Sequence, residues 1–136
     1  MATTAFVQTR LSRVGSQSQS SAQFNCSAGV NCYSVTGTFK GGWVSVSHYG
    51  GEFRNDFSGI TQSNCFDIKL DGAIQYELCN GTVGNGSRAR LREATVYINV
   101  SAGSHTISIQ NPISDGTGSV SLSGSNFPIL FGVMEQ

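Results

Sequence analysis

The sequence predicts an all-β chain, an antiparallel β-sandwich of jelly-roll type with about eight strands. Three observations carry that expectation. From residue 33 onward apolar residues recur at every second position, the period of a strand that buries one face. The 17 glycines and two prolines cut those runs into short segments joined by turns. No segment shows convincing helical spacing.

At 136 residues the chain has the size of one domain. Only 12% of residues are charged, against about 25% in an average soluble domain. Ser, Thr, Asn, Gln and Gly fill the difference, which suits the solvated faces of sheets. Eight basic and eight acidic residues give a formal net charge of +0. A sequence-independent nucleic-acid binder needs a basic excess to displace counterions, so no nucleic-acid partner is expected. No run approaches the ~20 apolar residues of a membrane span, and no membrane partner is expected. The opening Met1-Ala2-Thr3-Thr4-Ala5-Phe6 shows neither the charged nor the apolar region of a secretory signal. Two routes stay open: a leader already removed, or synthesis in the cytosol and release by another path.

Residues 1–25 read as an N-terminal arm and linker, and residues 26–136 as the sandwich domain. In the arm, Phe6-Val7 and Leu11/Val14 are isolated apolar pairs, and Gly15 to Ser21 is a polar run. The arm is either a disordered tail or a docking segment that lays Phe6 and Val7 on a neighbouring subunit. Tyr33-Ser-Val35-Thr-Gly37-Thr-Phe39 then alternates cleanly, and after Gly41-Gly42 so does Val44-Ser-Val46-Ser-His48. Tyr49 to Asn64 is irregular, with Phe53, Phe57 and Ile60 expected as core anchors beneath a long loop.

Two hairpins follow. Folding at Gly72 sets Leu70 opposite Ile74, Ile68 opposite Tyr76 and Phe66 opposite Leu78, with all the apolar residues on one face. Asp71-Gly72 prefers a two-residue turn instead, which would put Lys69 against Ile74; a bulge is expected to absorb the conflict. The second hairpin joins Ala94–Val100 to His105–Gln110, with Ile98 facing Ile107 and Val96 facing Ile109. A weaker strand, Ser119 to Leu122, comes next. The last, Pro128 to Met134, is apolar on both faces, so Leu130 and Met134 are expected to meet another subunit or a covering loop.

The first hairpin sets Cys65 directly opposite Cys79, close to disulfide range. Cys26 and Cys32 then pair by elimination, although four cysteines allow three connectivities and free thiols are the alternative. No catalytic constellation is expected, and no metal or cofactor. His48 and His105 fall on strands, with His105 a packed structural histidine at the rim. Asp67 and Asp71 share a solvated polar side with Lys69. The sequons at Asn25, Asn80, Asn85 and Asn99 are near the number chance provides in so Asn- and Ser-rich a chain. Arg88, Arg90 and Arg92 alternate, as an anionic-partner patch or as a solvent face balanced by Glu93. Trp43, with Tyr49 and Arg54 nearby, is a sugar-stacking platform or a core tryptophan.

The Asp71-Gly72 hairpin, the stretch Val100 to Ile109 and the closing strand Phe127 to Met134 resemble the small jelly-roll modules of bacteriophage virions. Head-decoration proteins and tail-fibre heads are examples, and these are similar to trimeric tumour-necrosis-factor-like sandwiches. The likeness spans roughly residues 33–134. It implies a jelly roll, a homotrimer and a structural or receptor-contact role, and it transfers no functional residue. A fibre head follows a long shaft, and only a short arm is present here. The resulting expectation is a non-enzymatic capsid decoration (cement) protein of a virion, partnered by capsid protein or other virion subunits. The alternatives are an extracellular carbohydrate-binding module or lectin reading sugars with Trp43, Tyr49 and Arg54, or the receptor-binding tip of a tail fibre.

Overall fold

The computed structural model describes residues 12–19, 29, 31–55, 62–110, 120–123 and 129–136; for 12–19, 120–123, Arg54, Gln62 and Thr82 it describes the backbone alone. Phe6, Val7, Cys26, Phe57 and Ile60 lie outside the described residues. Eleven strands, rather than about eight, account for nearly all of it: β1 Ser12–Gln19, β2 Asn31–Phe39, β3 Gly42–Tyr49, β4 Glu52–Asn55, β5 Gln62–Leu70, β6 Ala73–Val83, β7 Arg88–Arg90, β8 Ala94–Val100, β9 Gly103–Gln110, β10 Val120–Ser123 and β11 Ile129–Glu135. All pairings are antiparallel. They form a four-stranded sheet β1-β11-β3-β8, a second four-stranded sheet β2-β9-β5-β6 and a three-stranded sheet β10-β4-β7. The chain is an all-β antiparallel sandwich of jelly-roll type.

The alternation foreseen in the sequence decides which side chains enter the core. From the first sheet come Val44, Val46, Val96, Ile98, Val100, Ile129, Phe131 and Val133; from the second come Tyr33, Val35, Phe66, Ile68, Leu78, Ile107 and Ile109. Each fully buried side chain of this size contributes about 1.5–3 kcal/mol relative to exposure. His48 belongs to the same layer, with its ring centroid 4.7 Å from that of Phe66.

At the β5–β6 tip the turn rule and the hydrophobic pattern both operate, on opposite sides of a bulge. Asp71-Gly72 makes a tight turn that pairs Leu70 with Ala73 and Lys69 with Ile74, not Leu70 with Ile74. After the shift between Ile68 and Lys69, Ile68 meets Tyr76, Phe66 meets Leu78 and Cys65 meets Cys79. The Cys65–Cys79 disulfide is formed, with the Cα atoms 4.1 Å apart. Cys32 is also disulfide-bonded.

Three expectations are corrected. Ala94–Val100 and Gly103–Gln110 are not a hairpin: β8 pairs with β3, whereas β9 pairs with β2 and β5 in the other sheet. Ile98 and Ile107 therefore line opposite walls of the core. Either geometry turns the same residues inward, so period two could not tell them apart. Glu52–Asn55 is a strand in the third sheet rather than irregular loop, and it buries Phe53. Finally, Ser12–Gln19, within the stretch read as arm and linker, runs along β11 as the edge of the first sheet.

Glycine conformation matters at the turn that follows β3. Gly51 sits at φ +83°, and a Cβ there would lie 2.8 Å from Leu91 Cδ1 and 2.9 Å from Ile129 Cγ1. At the far edge of the sandwich the Tyr76 hydroxyl donates to the Tyr97 carbonyl at 2.9 Å, linking β6 of one sheet to β8 of the other.

Candidate functional site

The residues that alternate with the core on β3, β8 and β11 form the outer face of the first sheet. Register lines them up in rows. Tyr49 stands beside Leu130; Ser47 lies between Gly132 and Thr95; Ser45 lies between Met134 and Tyr97; Trp43 stands beside Asn99. Trp43 and Tyr97 are diagonal neighbours, a relation that places Cα atoms about 7–8 Å apart. Both are unusually open for their size, Trp43 at 58% and Tyr97 at 51% exposure. Tyr49, Leu130 and Met134 are exposed on the same face.

Between the rings runs a stripe of small hydroxyl groups. Ser47 and Thr95 share a hydrogen bond of 2.9 Å, and the Tyr49 hydroxyl lies 3.2 Å from Thr95 Oγ1. Gln136 Nε2 donates to Ser45 Oγ at 2.9 Å, and that hydroxyl donates to the Met134 carbonyl at 3.3 Å. None of the side chains on this face of β3, β8 and β11 carries a formal charge. On the neighbouring β1, register sets Ser18, Ser16 and Arg13 across from Leu130, Gly132 and Met134. The result is a wide sheet face with apolar rings at several points and neutral polar groups between them.

Of the residues foreseen for sugar stacking, Trp43 and Tyr49 share this face but stand six positions apart on β3, about 20 Å along the strand. Arg54 does not join them. It lies on β4, in the three-stranded sheet, paired with Ser121 and Arg88. Tyr97, which sequence reasoning passed over, stands much nearer to Trp43. Its signal was present: it is the outward residue between inward Val96 and Ile98. Leu130 and Met134 are exposed rather than covered by a loop among the described residues.

The other candidates separate. The arginines do not form a single row: Arg88 pairs with Glu52 at 2.9 Å, and Arg92 reaches the Cys79 carbonyl at 3.4 Å. Glu93, expected to balance them, instead accepts the Gly50 N–H. Asp67 is buried rather than solvated, and its Oδ1 has no hydrogen-bond partner among the described residues. Burial and the neighbouring Glu77 carboxylate raise its pKa. Cys65, Cys79 and Glu77 bring potential metal ligands together, but the two sulfurs are joined to each other and offer no thiolate.

Asp71 is exposed, in agreement with the sequence reading, yet it is tied into a network. Its carboxylate accepts the Thr106 N–H at 2.8 Å and lies 2.6 Å from His105 Nδ1. Both contacts, the backbone one foremost, hold its pKa below the ordinary carboxylate value. His105 packs near Phe39, with ring centroids 5.9 Å apart.

No family model and no curated protein matches the chain. Among solved structures it is similar to the CBM36-1 domain of a multidomain xylanase from the hindgut metagenome of Trinervitermes trinervoides, with 17% identity and a TM-score of 0.44 over 88% of this chain and 94% of that one. It is also similar to a family 35 carbohydrate binding module from Clostridium thermocellum, with 12% identity and a TM-score of 0.39 over 93% and 94% of the two chains. Dimeric latent PorU from Porphyromonas gingivalis gives a TM-score of 0.45 at 12% identity, over 88% of this chain but 12% of that one. Likenesses this distant assign no activity, so the functional reading rests on the face itself.

Proposed function

We propose that this protein is a carbohydrate-binding module that takes neutral saccharides on the outer face of its first sheet. The observation that carries the reading is the exposed diagonal pair Trp43 and Tyr97 beside a stripe of neutral hydroxyls. A pyranose ring has an apolar face of C–H bonds, which suits the electron-rich face of an aromatic ring, and a rim of hydroxyls, which suits Ser, Thr and Asn. A contiguous exposed apolar patch on a soluble domain marks an interaction site. The Cys65–Cys79 disulfide supports an oxidising, extracellular setting. The capsid-decoration expectation has no support in the fold or in the face, and the alternative held beside it takes its place.

Affinity electrophoresis through gels containing neutral xylan, glucan or mannan tests this reading, followed by titration calorimetry on any polysaccharide that retards the protein. Trp43→Ala and Tyr97→Ala should each weaken binding at least about tenfold, or ~1.4 kcal/mol. Wild-type protein that no gel retards, or variants that bind as tightly as wild type, would sink the proposal. Leu130 and Met134 extend the same face, so light scattering without ligand is the necessary control. A stable oligomer that buries Trp43 would replace the sugar with a second copy of the chain.

A further inference from the structure

We propose that Ser101, His105 and Asp71 form an acyl-transfer site for carboxylic esters, at the Trp43 end of the sandwich. Three separate parts of the chain supply it: Asp71 comes from the β5–β6 turn, Ser101 from the crossing between β8 and β9, and His105 from β9. Ser101 Oγ lies 3.0 Å from His105 Nε2, and His105 Nδ1 lies 2.6 Å from Asp71 Oδ2. Nucleophile, base and orienting carboxylate are thus connected in the order that serine nucleophiles require.

The protonation pattern follows from the contacts. An ionised carboxylate only accepts hydrogen bonds, so Nδ1 carries the imidazole proton and Nε2 presents its lone pair to the serine hydroxyl. Asp71 is well fixed for this role. Its backbone adopts φ 48°, unusual for a residue with a side chain. That conformation is held by Asp71 N–H donating to the Thr106 carbonyl at 2.8 Å and by Thr106 N–H donating to Oδ1 at 2.8 Å, which leaves Oδ2 for the histidine. Ser101 is exposed, so an acyl carbon can approach Oγ. Gly103, at φ +133°, adopts a backbone conformation that residues with side chains rarely take, and it lets β9 start two residues after Ser101. Ser101 follows Val100, the partner of Gly42, so the nucleophile stands just past the row that holds Trp43 and Asn99.

In the reaction, Ser101 Oγ bonds to the ester carbonyl carbon while its proton passes to His105 Nε2. The bond from that carbon to the alcohol oxygen then breaks, and His105 returns the proton to the departing alcohol. Water attacks the acyl-serine, gives its proton to His105, and the carboxylic acid leaves as Ser101 recovers its own. Ester and water become acid and alcohol, with no change of oxidation state. Ser101 and His105 are the catalytic residues; Asp71 touches only the histidine and is a positioning residue.

A fluorophosphonate probe and 4-nitrophenyl acetate, used on the full chain, test the site without reference to glycan binding. Peptide mass spectrometry should find one phosphonyl adduct, on Ser101, and nitrophenolate release should exceed the buffer rate. Ser101→Ala should abolish both, and His105→Gln should slow release by about 10²–10⁴-fold. Asp71→Asn should lower kcat at unchanged KM, which a purely structural tie between turns would not do. Because Asp71 also anchors its turn, Ser101→Ala, a change at an exposed position, is the decisive variant. Folded wild-type protein that takes no label at Ser101, or ester release that Ser101→Ala leaves unchanged, would overturn the proposal.

Discussion

His48→Phe keeps a planar ring against Phe66 and removes the proton-binding nitrogens from the core. His48 is 1% exposed. Burial lowers its pKa from 6.5 to about 4, with the Arg92 carbonyl and the Glu93 charge opposing part of that effect. The folded protein therefore resists a proton that the unfolded chain accepts once the pH drops below 6.5. The stability that the neutral imidazole preserves is complete above that value and declines as the pH falls toward about 4. At about 1.4 kcal/mol per pH unit the decline amounts to about 3 kcal/mol, a large share of the 5–15 kcal/mol typical of a domain. Two carboxylates complicate the wild-type curve. The raised pKa of Asp67 adds stability as the pH falls through it, and the lowered pKa of Asp71 removes stability below the ordinary carboxylate value. Subtracting the variant from the wild type cancels both. Urea denaturation at steps from neutral pH down to about 4 should therefore give a difference that shrinks by about 3 kcal/mol. Parallel curves for the two proteins would refute the argument.

Replacing Cys65 and Cys79 together by Ser opens a loop with a sequence separation of 14, and should lower unfolding free energy by about 3 kcal/mol in non-reducing denaturation. Gly51→Ala adds a methyl group against Leu91 and Ile129 at a left-handed φ, so calorimetry should show a loss of about 1–3 kcal/mol. Asn55→Ala removes the Nδ2 donor that meets the buried Val83 carbonyl at 2.8 Å; the same measurement should record a loss of about 1–3 kcal/mol. Trp43→Ala, on an exposed face, should change stability by less than about 0.5 kcal/mol, which separates any binding defect from misfolding.

Much of the fold was legible because a strand declares its inward residues by alternation, and Val44, Val46, Ile107 and Ile109 are all where that rule puts them. What alternation does not encode is the partner of each strand. The crossing at Ser101-Ala102 looks in sequence like a hairpin turn, and only the assignment of β8 and β9 to different sheets reveals otherwise. The aromatic face was half legible: Trp43 stood out as the single tryptophan, whereas Tyr97 became meaningful only when β3 and β8 were set side by side. The Asp71–His105 contact was hidden for a related reason. Its members are 34 positions apart, and no local motif announces a pairing that depends on two turns meeting at one end of a sandwich.

The hydroxyl of Tyr76 has a consequence for how this molecule meets its own kind. An uncapped outermost strand invites another chain to zip alongside it. On β8 one of the sockets for such a zipper, the Tyr97 carbonyl, is already plugged from the opposite layer. A strand adding along β8 would have to displace that phenol before it could pair at Tyr97, which sets a local cost on lengthening the ribbon from this side.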